Sequence, residues 1–332
     1  MTDMTATEIL ALKPVQARIL FPGDDASAAL RFKALAKAWH PDINPGVDAS
    51  VFAHVVELHS VLKRGVATNE RIFRTTDRRS FRFAYLARHA TDFGEVLVGR
   101  TRIAHVVPSD LSDLAQRADA FRPTFADDGM RTEMERFLPH RSMTLDTADG
   151  TVFVEEKTAD QILLRDLMAL TPFDPRHAAW MATRLVNLAC WLQWSGLAHG
   201  ALGPDTLLVS PEFHSVAITG PFLSARSFGA VPFALPERTL STCPRYCVEG
   251  QPADARLDPE LVRATIRECL GDPAGTRLAS DPDFPKSFAN WLLMPAKDAQ
   301  TDFPAWETAR DASFGARRFV HWDVDPVALM AA

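Results

Sequence analysis

Apolar residues recur at the spacing of an amphipathic helix close to the start of the chain. Between Ala26 and Trp39 they fall at positions i, i+3, i+4 and i+7, which places them on one face of a helix. These apolar positions are Phe32, Leu35, Ala36 and Trp39. Because proline cannot continue a helix and restricts the residue before it, we predict that this helix ends just before Pro41.

A second apolar run follows after a polar loop. The loop contains Asn44-Pro45-Gly46, residues that are typical of turns. The run predicts a second amphipathic helix, whose buried side carries Phe52, Val55, Val56, Val61 and Leu62. Two helices joined by a loop of this kind are expected to lie antiparallel, as a hairpin.

Beyond the arginine-rich segment from Arg71 to Arg79, apolar and polar residues alternate. Residues 81–107 are rich in alternating and β-branched positions, which predicts a twisted hairpin. A second hairpin is predicted over residues 143–156, around Ala148-Asp149-Gly150. Helices are predicted at 110–121, at 128–138 and, as a long apolar helix, at His177–Trp194. Strands followed by helices indicate the α+β class.

Composition limits the class of protein. The chain has 332 residues, of which 47% are hydrophobic and 23% charged, with a formal net charge of −6. These values exclude a disordered or disulfide-rich chain, and the length suggests about two domains. The four cysteines fit a reducing compartment. We expect no secretory signal, no membrane helix or membrane partner, and a cytoplasmic location.

Charge is unevenly distributed along the chain. Residues 71–102 contain eight arginines against Asp77, Asp92 and Glu95, with Phe73 and other aromatics between them. Such a stripe can bind nucleic acid or an acidic peptide, but it is more often a solvated connector plus one face of a strand. With an acidic chain and no readout motif, nucleic acid is not an expected partner.

The first helical pair carries a family resemblance. The run from Phe32 to Gly46, which includes His40-Pro41-Asp42, resembles the second helix and loop of a J domain, the module of DnaJ-type co-chaperones. Phe52–Leu62 resembles the third helix of that family, and Ile19-Leu20 would close its short first helix. The resemblance covers about residues 14–64, and His-Pro-Asp between two such helices is a specific signal. We assign residues 1–66 to this domain.

The resemblance implies that this domain docks on a DnaK-type chaperone and accelerates its ATP hydrolysis. Asp42 would pair with an arginine of the chaperone, and basic side chains of the preceding helix would steer the encounter. The implied binding residues are His40, Pro41, Asp42, Lys33, Arg31 and Lys37. Ala34 and Ala38 occupy positions that are commonly basic in the family, so the positive face is thin. An alternative is an interaction scaffold with an inactive J-like hairpin, in which the tripeptide only terminates a helix.

The larger remainder carries a second resemblance. Leu197 to Val209, which follow the long helix, resemble a protein-kinase catalytic loop, and Phe93-Gly94-Glu95-Val96 resembles the end of a glycine-rich loop. Ala234 to Glu237 resembles the Ala-Pro-Glu element, and Asp258–Gly271 has the spacing of the helix after it. The match covers about residues 80–320. It implies a bilobal fold, with an arginine-rich linker over residues 67–80, a small β-rich lobe over 81–157, and a larger helical lobe with a C-terminal tail over 158–332.

The residues that phosphoryl transfer requires are missing at the matched positions. No lysine occurs between Lys63 and Lys157, and the residue near the position of the phosphate-binding lysine is His105, a poor substitute at neutral pH. The other matched positions hold His199 and Ala201 in the catalytic loop, Gly203 for its lysine, Thr206 for the magnesium-binding asparagine, and Gly220 in a metal-binding region without a carboxylate. The resemblance therefore implies a pseudokinase that lacks kinase activity and uses no metal or other cofactor.

Together these patterns predict a co-chaperone whose kinase-like domain holds a client or anchors the chaperone pair. An atypical kinase or nucleotide-binding switch, using Asp205 or Asp258 with His199, is the enzymatic alternative; otherwise the His199 ring is expected to hydrogen-bond backbone. Cys243 and Cys247 are expected to be free thiols, because zinc requires four ligands and no second pair is present.

Overall fold

A computed structural model describes residues 4–12, 16–23, 25–41, 43–44, 46–63, 69–170, 173–232, 234–248, 250–316, 320–322 and 324 of the chain. It divides into two compact units, one within residues 1–69 and one within residues 70–324. Among the described residues, no helix combines the length and the apolar character that crossing a membrane requires.

The first unit is a cluster of helices. They are α1 (Ala6–Ala11), α2 (Ala17–Leu20), α3 (Asp25–Trp39) and α4 (Ala49–Lys63). A capping box starts α1: the Thr5 hydroxyl accepts the Glu8 N–H, and the Glu8 carboxylate accepts the Thr5 N–H at 2.7 Å. The buried core of this unit includes Ile9, Leu20, Phe21, Leu35, Val51, Val55 and Leu58.

The helices α3 and α4 form the predicted antiparallel hairpin. The His40 ring at the end of α3 lies 4.7 Å from that of Phe52 near the start of α4. At the opposite end, Phe32 stacks on His59 with ring centroids 3.8 Å apart. Since early residues of one helix meet late residues of the other, the two helices run in opposite directions.

The buried face of α4 is rotated from the predicted one. Val51, Val55 and Leu58, at i, i+4 and i+7, are fully buried, whereas Val56 is 39% exposed, so its prediction as a buried residue is wrong. This stripe is buried because α4 packs against α1 and α2 as well as α3. The side chains of Val61 and Leu62 lie outside the described residues.

The second unit contains strands that pair antiparallel. They are β1 (Asn69–Arg74), β2 (Ser80–Tyr85), β3 (Ala87–Thr91), β4 (Gly94–Val98), β5 (Arg102–Pro108), β6 (His140–Thr147), β7 (Gly150–Glu156), β8 (Ile162–Leu163), β9 (Leu197–Ala198), β10 (Leu207–Ser210), β11 (Ser215–Ile218) and β12 (Arg226–Ser227). The largest sheet has the order β3-β4-β5-β7-β6. Its predicted hairpin β6–β7 pairs Thr147 with Gly150, with a bulge between Arg141 and Met143.

The helices of the second unit follow mainly after the sheet. They are α5 (Ser112–Ala120), α6 (Asp128–Glu135), α7 (Leu164–Leu170), α8 (Pro175–Trp194), α9 (Glu237–Thr242), α10 (Arg245–Val248), α11 (Leu257–Cys269), α12 (Thr276–Ser280), α13 (Lys286–Leu293) and α14 (Ala299–Phe314). The predicted helices at 110–121, 128–138 and 177–194 are thus present as α5, α6 and α8, and the content is compatible with the α+β class. The long helix α8 packs on both α11 and α14.

The segment expected as a linker is part of this unit. Instead of connecting two domains as free chain over residues 67–80, it forms β1 from Asn69 onward, paired with β2 in a two-stranded sheet. The assignment of these residues to a linker is therefore corrected. The physical reason is burial: Phe73 and Phe83 pack with Leu97 in one apolar cluster, which holds the hairpin on the large sheet.

Both faces of the large sheet are covered. On β4, Leu97 belongs to the cluster beneath the β1–β2 hairpin, while its neighbours Val96 and Val98 pack with Leu163 and Leu208 on the other side. Successive side chains of a strand point to opposite faces, so three adjacent apolar residues on β4 are buried in two different directions. On this side the sheet thereby lies against strands β8 and β10.

Candidate functional site

The loop after α8 is anchored by a buried carboxylate. Asp258, at the start of α11, accepts the His199 N–H at 2.7 Å and the Gly200 N–H at 2.9 Å. Burial raises the pKa of Asp258 to about 6, and the two backbone hydrogen bonds oppose that rise. Because both oxygens of Asp258 are engaged by backbone, this residue positions the loop and does not face a reactant.

His199 itself is buried inside this loop. Its Nδ1 accepts the Ala201 N–H at 3.3 Å, and its ring meets Phe222 edge-on at 4.9 Å. Burial lowers the pKa of His199 to about 4, so the ring is neutral at physiological pH. The ring hydrogen-bonds backbone, as the non-catalytic alternative predicts.

The other residues of this loop also take part in contacts within the protein. The Thr206 hydroxyl donates to the Ala201 carbonyl at 2.5 Å and accepts the Gly203 N–H at 3.1 Å. A side chain at Gly203 would collide with the Arg238 guanidinium. Arg238 donates to the Leu202 carbonyl at 3.0 Å. The space in which a loop lysine would lie is thus taken by an arginine from α9 that the sequence analysis did not single out.

A buried polar chain joins the large sheet to the segment after β11. His105 on β5 lies with its Nε2 2.9 Å from the Thr219 hydroxyl, and Thr219 donates to Glu155 Oε2, also at 2.9 Å. The same oxygen accepts the Gly220 N–H at 2.9 Å. His105 Nε2 and Glu155 Oε2 are 3.8 Å apart, too far for a direct hydrogen bond, so Thr219 mediates between them.

Burial disfavours charge on both ends of this chain. It raises the pKa of Glu155 to about 7, against the hydrogen bonds from Gly220 and Thr219, and it lowers the pKa of His105 to about 3. Glu155 Oε1 has no hydrogen-bond partner among the described residues. A neutral, fully enclosed histidine has no charge with which to hold phosphate oxygens.

Gly220 is required where the sheet and the loop approach each other. Its φ is +92°, and a Cβ there would lie 2.9 Å from the His105 ring. Only glycine combines this backbone conformation with so close a contact. The segment around Gly220, which the kinase-like match aligns with a metal-binding region, contains no carboxylate of its own. A carboxylate nevertheless reaches it from Glu155 on β7, where it accepts hydrogen bonds from the Gly220 N–H and the Thr219 hydroxyl.

Lys157, the first lysine after Lys63, is also engaged by hydrogen bonds within the protein. Lys157 is buried, and its Nζ donates to the carbonyls of Arg100 at 2.9 Å and Gln161 at 2.8 Å. Burial lowers the pKa of Lys157 to about 8. Asp205, the acidic candidate of the enzymatic alternative, receives the Arg165 guanidinium at 2.7 Å. Both groups are thus engaged in hydrogen bonds or ion pairs within the protein.

The cavity between these elements is small. Its volume is about 80 Å³, and its lining includes Phe93, His105, His199, Thr206 and Gly220. Sites for drug-sized ligands occupy roughly 300–1,000 Å³. The cavity is therefore smaller than a typical small-molecule site. Within the described residues, no group of three or more His, Cys, Asp or Glu side chains is placed to hold a metal ion.

Two residues near this cavity, Glu155 and Thr219, are not predicted as site residues by the sequence. Glu155 precedes Glu156 at the end of β7, and nothing in the sequence distinguishes the buried carboxylate from its exposed neighbour. For Thr219 the sequence indicates only that it lies in a segment without a carboxylate. Their roles arise from contacts across 64 residues of chain, between β7 and the segment after β11.

The loop of the first unit lies between α3 and α4. The Asn44 side chain donates to the carbonyls of Lys37 and Ala38, both at 2.9 Å, and so satisfies the exposed end of α3. The His40 carbonyl accepts the Asn44 N–H at 2.9 Å. These bonds close a compact turn around Pro41. Asp42 lies outside the described residues.

The basic residues predicted for chaperone binding lie on α3. Lys33 and Lys37 are exposed, and their spacing of four residues places them on one face of the helix. Arg31 is half-buried, as are His40 and Pro41. The structure therefore brings Lys37, His40 and Pro41 together at one end of the hairpin, with Lys33 one turn further away.

Part of the arginine stripe of the second unit is paired within the chain. Arg71 and Arg88 both contact Glu95, and Arg82 lies 3.2 Å from Glu70. Arg79 pairs with Asp77 at 2.6 Å. Four of the eight arginines thus contact three carboxylates within the chain, so part of the positive charge of the stripe is compensated.

The two cysteines of the Cys-x3-Cys pair are free and buried. Burial raises the pKa of both the Cys243 and the Cys247 thiol. Thiols in this state are poor nucleophiles and poor metal ligands at neutral pH. Their environment agrees with the prediction of structural thiols.

Comparison with known proteins assigns no family to this chain. No protein-family model matches it, and no curated protein is significantly similar to it. The residues of the two sites therefore have to carry the functional conclusion by themselves.

Proposed function

We propose that this protein is a J-domain co-chaperone that stimulates the ATPase of a DnaK-type chaperone. The observation that carries the proposal is the sequence His40-Pro41-Asp42 between two helices that pack as an antiparallel hairpin, with His40 and Pro41 at the end of the first helix. Asn44 donates to the end of α3 from the same loop. A loop residue fixed in this way loses little conformational entropy when a partner binds.

Electrostatic steering supports the same role. The exposed ammonium groups of Lys33 and Lys37 lie on α3 and lead toward the loop. Exposed charges of this kind raise the rate of encounter with an acidic surface more than they raise affinity. Ala34 and Ala38 leave these two lysines as the main positive groups of that helix face, so the effect depends on few residues.

For the second unit we propose a kinase-like module that works by binding a client or anchoring protein. Support comes from the order of its elements, an antiparallel five-stranded sheet followed by a long helix and a loop held by Asp258. Support for the absence of phosphoryl transfer comes from the small cleft, where Thr219 contacts His105 and donates to Glu155, which is buried behind the cleft. Lys157 donates to backbone carbonyls instead of facing the cleft.

The test of the co-chaperone function is single-turnover ATP hydrolysis by a DnaK-type chaperone, with and without the full chain. We expect stimulation that disappears in Asp42→Asn. The matched control is Asp48→Asn: Asp48 accepts the Ser50 N–H at 2.8 Å at the start of α4, and asparagine serves equally well at that position. If stimulation is absent, or if it persists in Asp42→Asn, the hairpin is a scaffold and the proposal is wrong.

The nucleotide-binding alternative has a separate test. A ligand that binds only the native state at a hundred times its Kd stabilises the fold by about 2.7 kcal/mol. We expect millimolar ATP with magnesium to leave the thermal unfolding of the second unit unchanged. A clear rise in the midpoint of thermal unfolding that disappears without magnesium would favour the nucleotide-binding switch.

A further inference from the structure

A second and larger cavity lies in the second unit, away from the small cleft. It is lined by α8, by the turn that carries His214, by the end of α14, and by Gly315, Ala316 and Val320 after that helix. Its volume is about 440 Å³. That volume falls within the roughly 300–1,000 Å³ of sites that bind small molecules. The proposed co-chaperone function makes no use of this cavity.

The lining of the cavity is rich in arginine. Arg176, Arg184 and Arg310 all line it, and its described lining residues include no aspartate or glutamate. Arg176 and Arg184 are eight residues apart on α8, with Trp180 midway between them, so the three side chains share one face of the helix. Planar guanidinium groups suit the paired oxygens of a carboxylate or a phosphate.

Two donors that line the cavity lack partners. Trp180 Nε1 and Arg310 Nη1 are buried and have no hydrogen-bond partner among the described residues. The other nitrogens of Arg310 contact Asp311 at 2.7 Å and Glu307 at 3.6 Å, which fixes the direction of its guanidinium. Buried donors are rarely left unpaired in folded proteins, so these two N–H groups are placed to donate to an acceptor oxygen of a ligand in the cavity.

Aromatic rings supply the remaining walls. The His214 ring lies 4.7 Å from that of Trp180, and Phe314 at the end of α14 also lines the cavity. Beside it, His177 stacks on Trp322 with ring centroids 4.5 Å apart. Flat faces of this kind favour a flat ligand body, because rings stack on them with offset or edge-on geometry.

We propose that this cavity binds a small organic anion in which a carboxylate or a phosphate is attached to a flat apolar body. The anionic group would lie against the arginines of α8, and the flat body against Trp180 and Phe314. The proposal concerns binding alone, and it is independent of the chaperone interaction, which involves residues of the first unit.

The test is isothermal titration of the full chain with four compounds: phenyl phosphate, benzoate, inorganic phosphate and phenol. For ligands of this size we expect phenyl phosphate or benzoate to bind with a Kd of about a millimolar or less. Inorganic phosphate, without a ring, and phenol, without a charge, should each bind roughly tenfold or more weakly. The comparison of phenyl phosphate with benzoate distinguishes the two anionic groups.

Variants locate the binding in the cavity. Arg176→Gln removes an exposed charge and should weaken binding roughly five- to tenfold, while Trp180→Phe keeps a ring but removes the N–H and should weaken it roughly threefold. The matched control is Arg100→Gln, an equally exposed arginine on a strand connection of the same unit. Absence of saturable binding overturns the proposal, as does equal binding of phenol, or binding that Arg176→Gln and Trp180→Phe leave unchanged.

Discussion

The buried carboxylate of Glu155 makes the stability of the second unit depend on pH in a way that a single substitution removes. Glu155 is 1% exposed, and its Oε2 accepts both the Thr219 hydroxyl and the Gly220 N–H. Glutamine at this position keeps an oxygen that can accept these two bonds but cannot ionise. Glu155→Gln therefore separates the hydrogen bonding of the side chain from its charge.

The magnitude follows from the pKa. Burial raises the pKa of Glu155 from 4.5 to about 7, so between these pH values the folded chain retains a proton that the unfolded chain has released. The folded state then binds more protons than the unfolded state, and stability falls as the pH rises through that window. A displacement of about 2.5 pH units at about 1.36 kcal/mol each amounts to about 3 kcal/mol.

The expected result is a change of slope. In the wild type, Glu155 contributes a loss of about 3 kcal/mol in the free energy of unfolding between about pH 4.5 and about pH 7, and Glu155→Gln lacks this loss. At acidic pH the variant is expected to be slightly less stable, by about 1 kcal/mol, because its amide N–H group takes the place of Oε1, which has no partner. Near pH 8 the order is expected to be reversed.

Urea unfolding followed by tryptophan fluorescence measures this difference. All tryptophans except Trp39 lie in residues 70–324, so the signal reports mainly on the second unit. The control is Glu156→Gln, the exposed neighbour on the same strand, which should follow the wild type within about 0.5 kcal/mol at every pH. If the curves of wild type and Glu155→Gln stay parallel from about pH 5 to about pH 8, the carboxylate is ionised in the fold and the reasoning from burial is refuted.

Three further predictions concern other residues of the two units. Asp258→Ala leaves two buried N–H groups without an acceptor and should lower the free energy of unfolding by about 2–6 kcal/mol in urea titrations; a loss under about 1 kcal/mol contradicts its anchoring role. Gly220→Ala forces a Cβ against the His105 ring at a positive φ and should lower the unfolding midpoint clearly, whereas an unchanged midpoint means that the loop is not held there. The double variant of Lys33→Ala with Lys37→Ala should reduce the stimulation of chaperone ATPase several-fold at low salt, and added salt should narrow the difference; a deficit that salt does not change argues against steering.

Local patterns were sufficient for several elements. The spacing of Phe32, Leu35 and Trp39 predicts α3, and Ala148-Asp149-Gly150 between alternating runs predicts the β6–β7 hairpin. These elements depend on neighbours three or four residues apart, or on a turn between adjacent strands, and such contacts are encoded within a short window of sequence. The same holds for the antiparallel packing of α3 and α4, which follows from the short loop between them.

Tertiary packing decided what local patterns leave open. Val56 satisfies the helical spacing yet is exposed, because the neighbours of α4 select a different face. The arginine-rich segment expected as a linker becomes β1, since Phe73 finds Phe83 and Leu97 as partners.

The candidate cleft depends on tertiary structure most of all. Residue identity alone shows that the positions matched to the lysine, aspartate and asparagine of a kinase hold other residues, while the match itself remains a proposal. Tertiary packing alone decides that Glu155 rather than Glu156 is buried beside the cleft, where it accepts hydrogen bonds from Thr219 and Gly220. Ionisation and hydrogen bonding of a buried group depend on atoms that are distant in sequence and adjacent in space, so they are determined only when the sheet and the loops have come together.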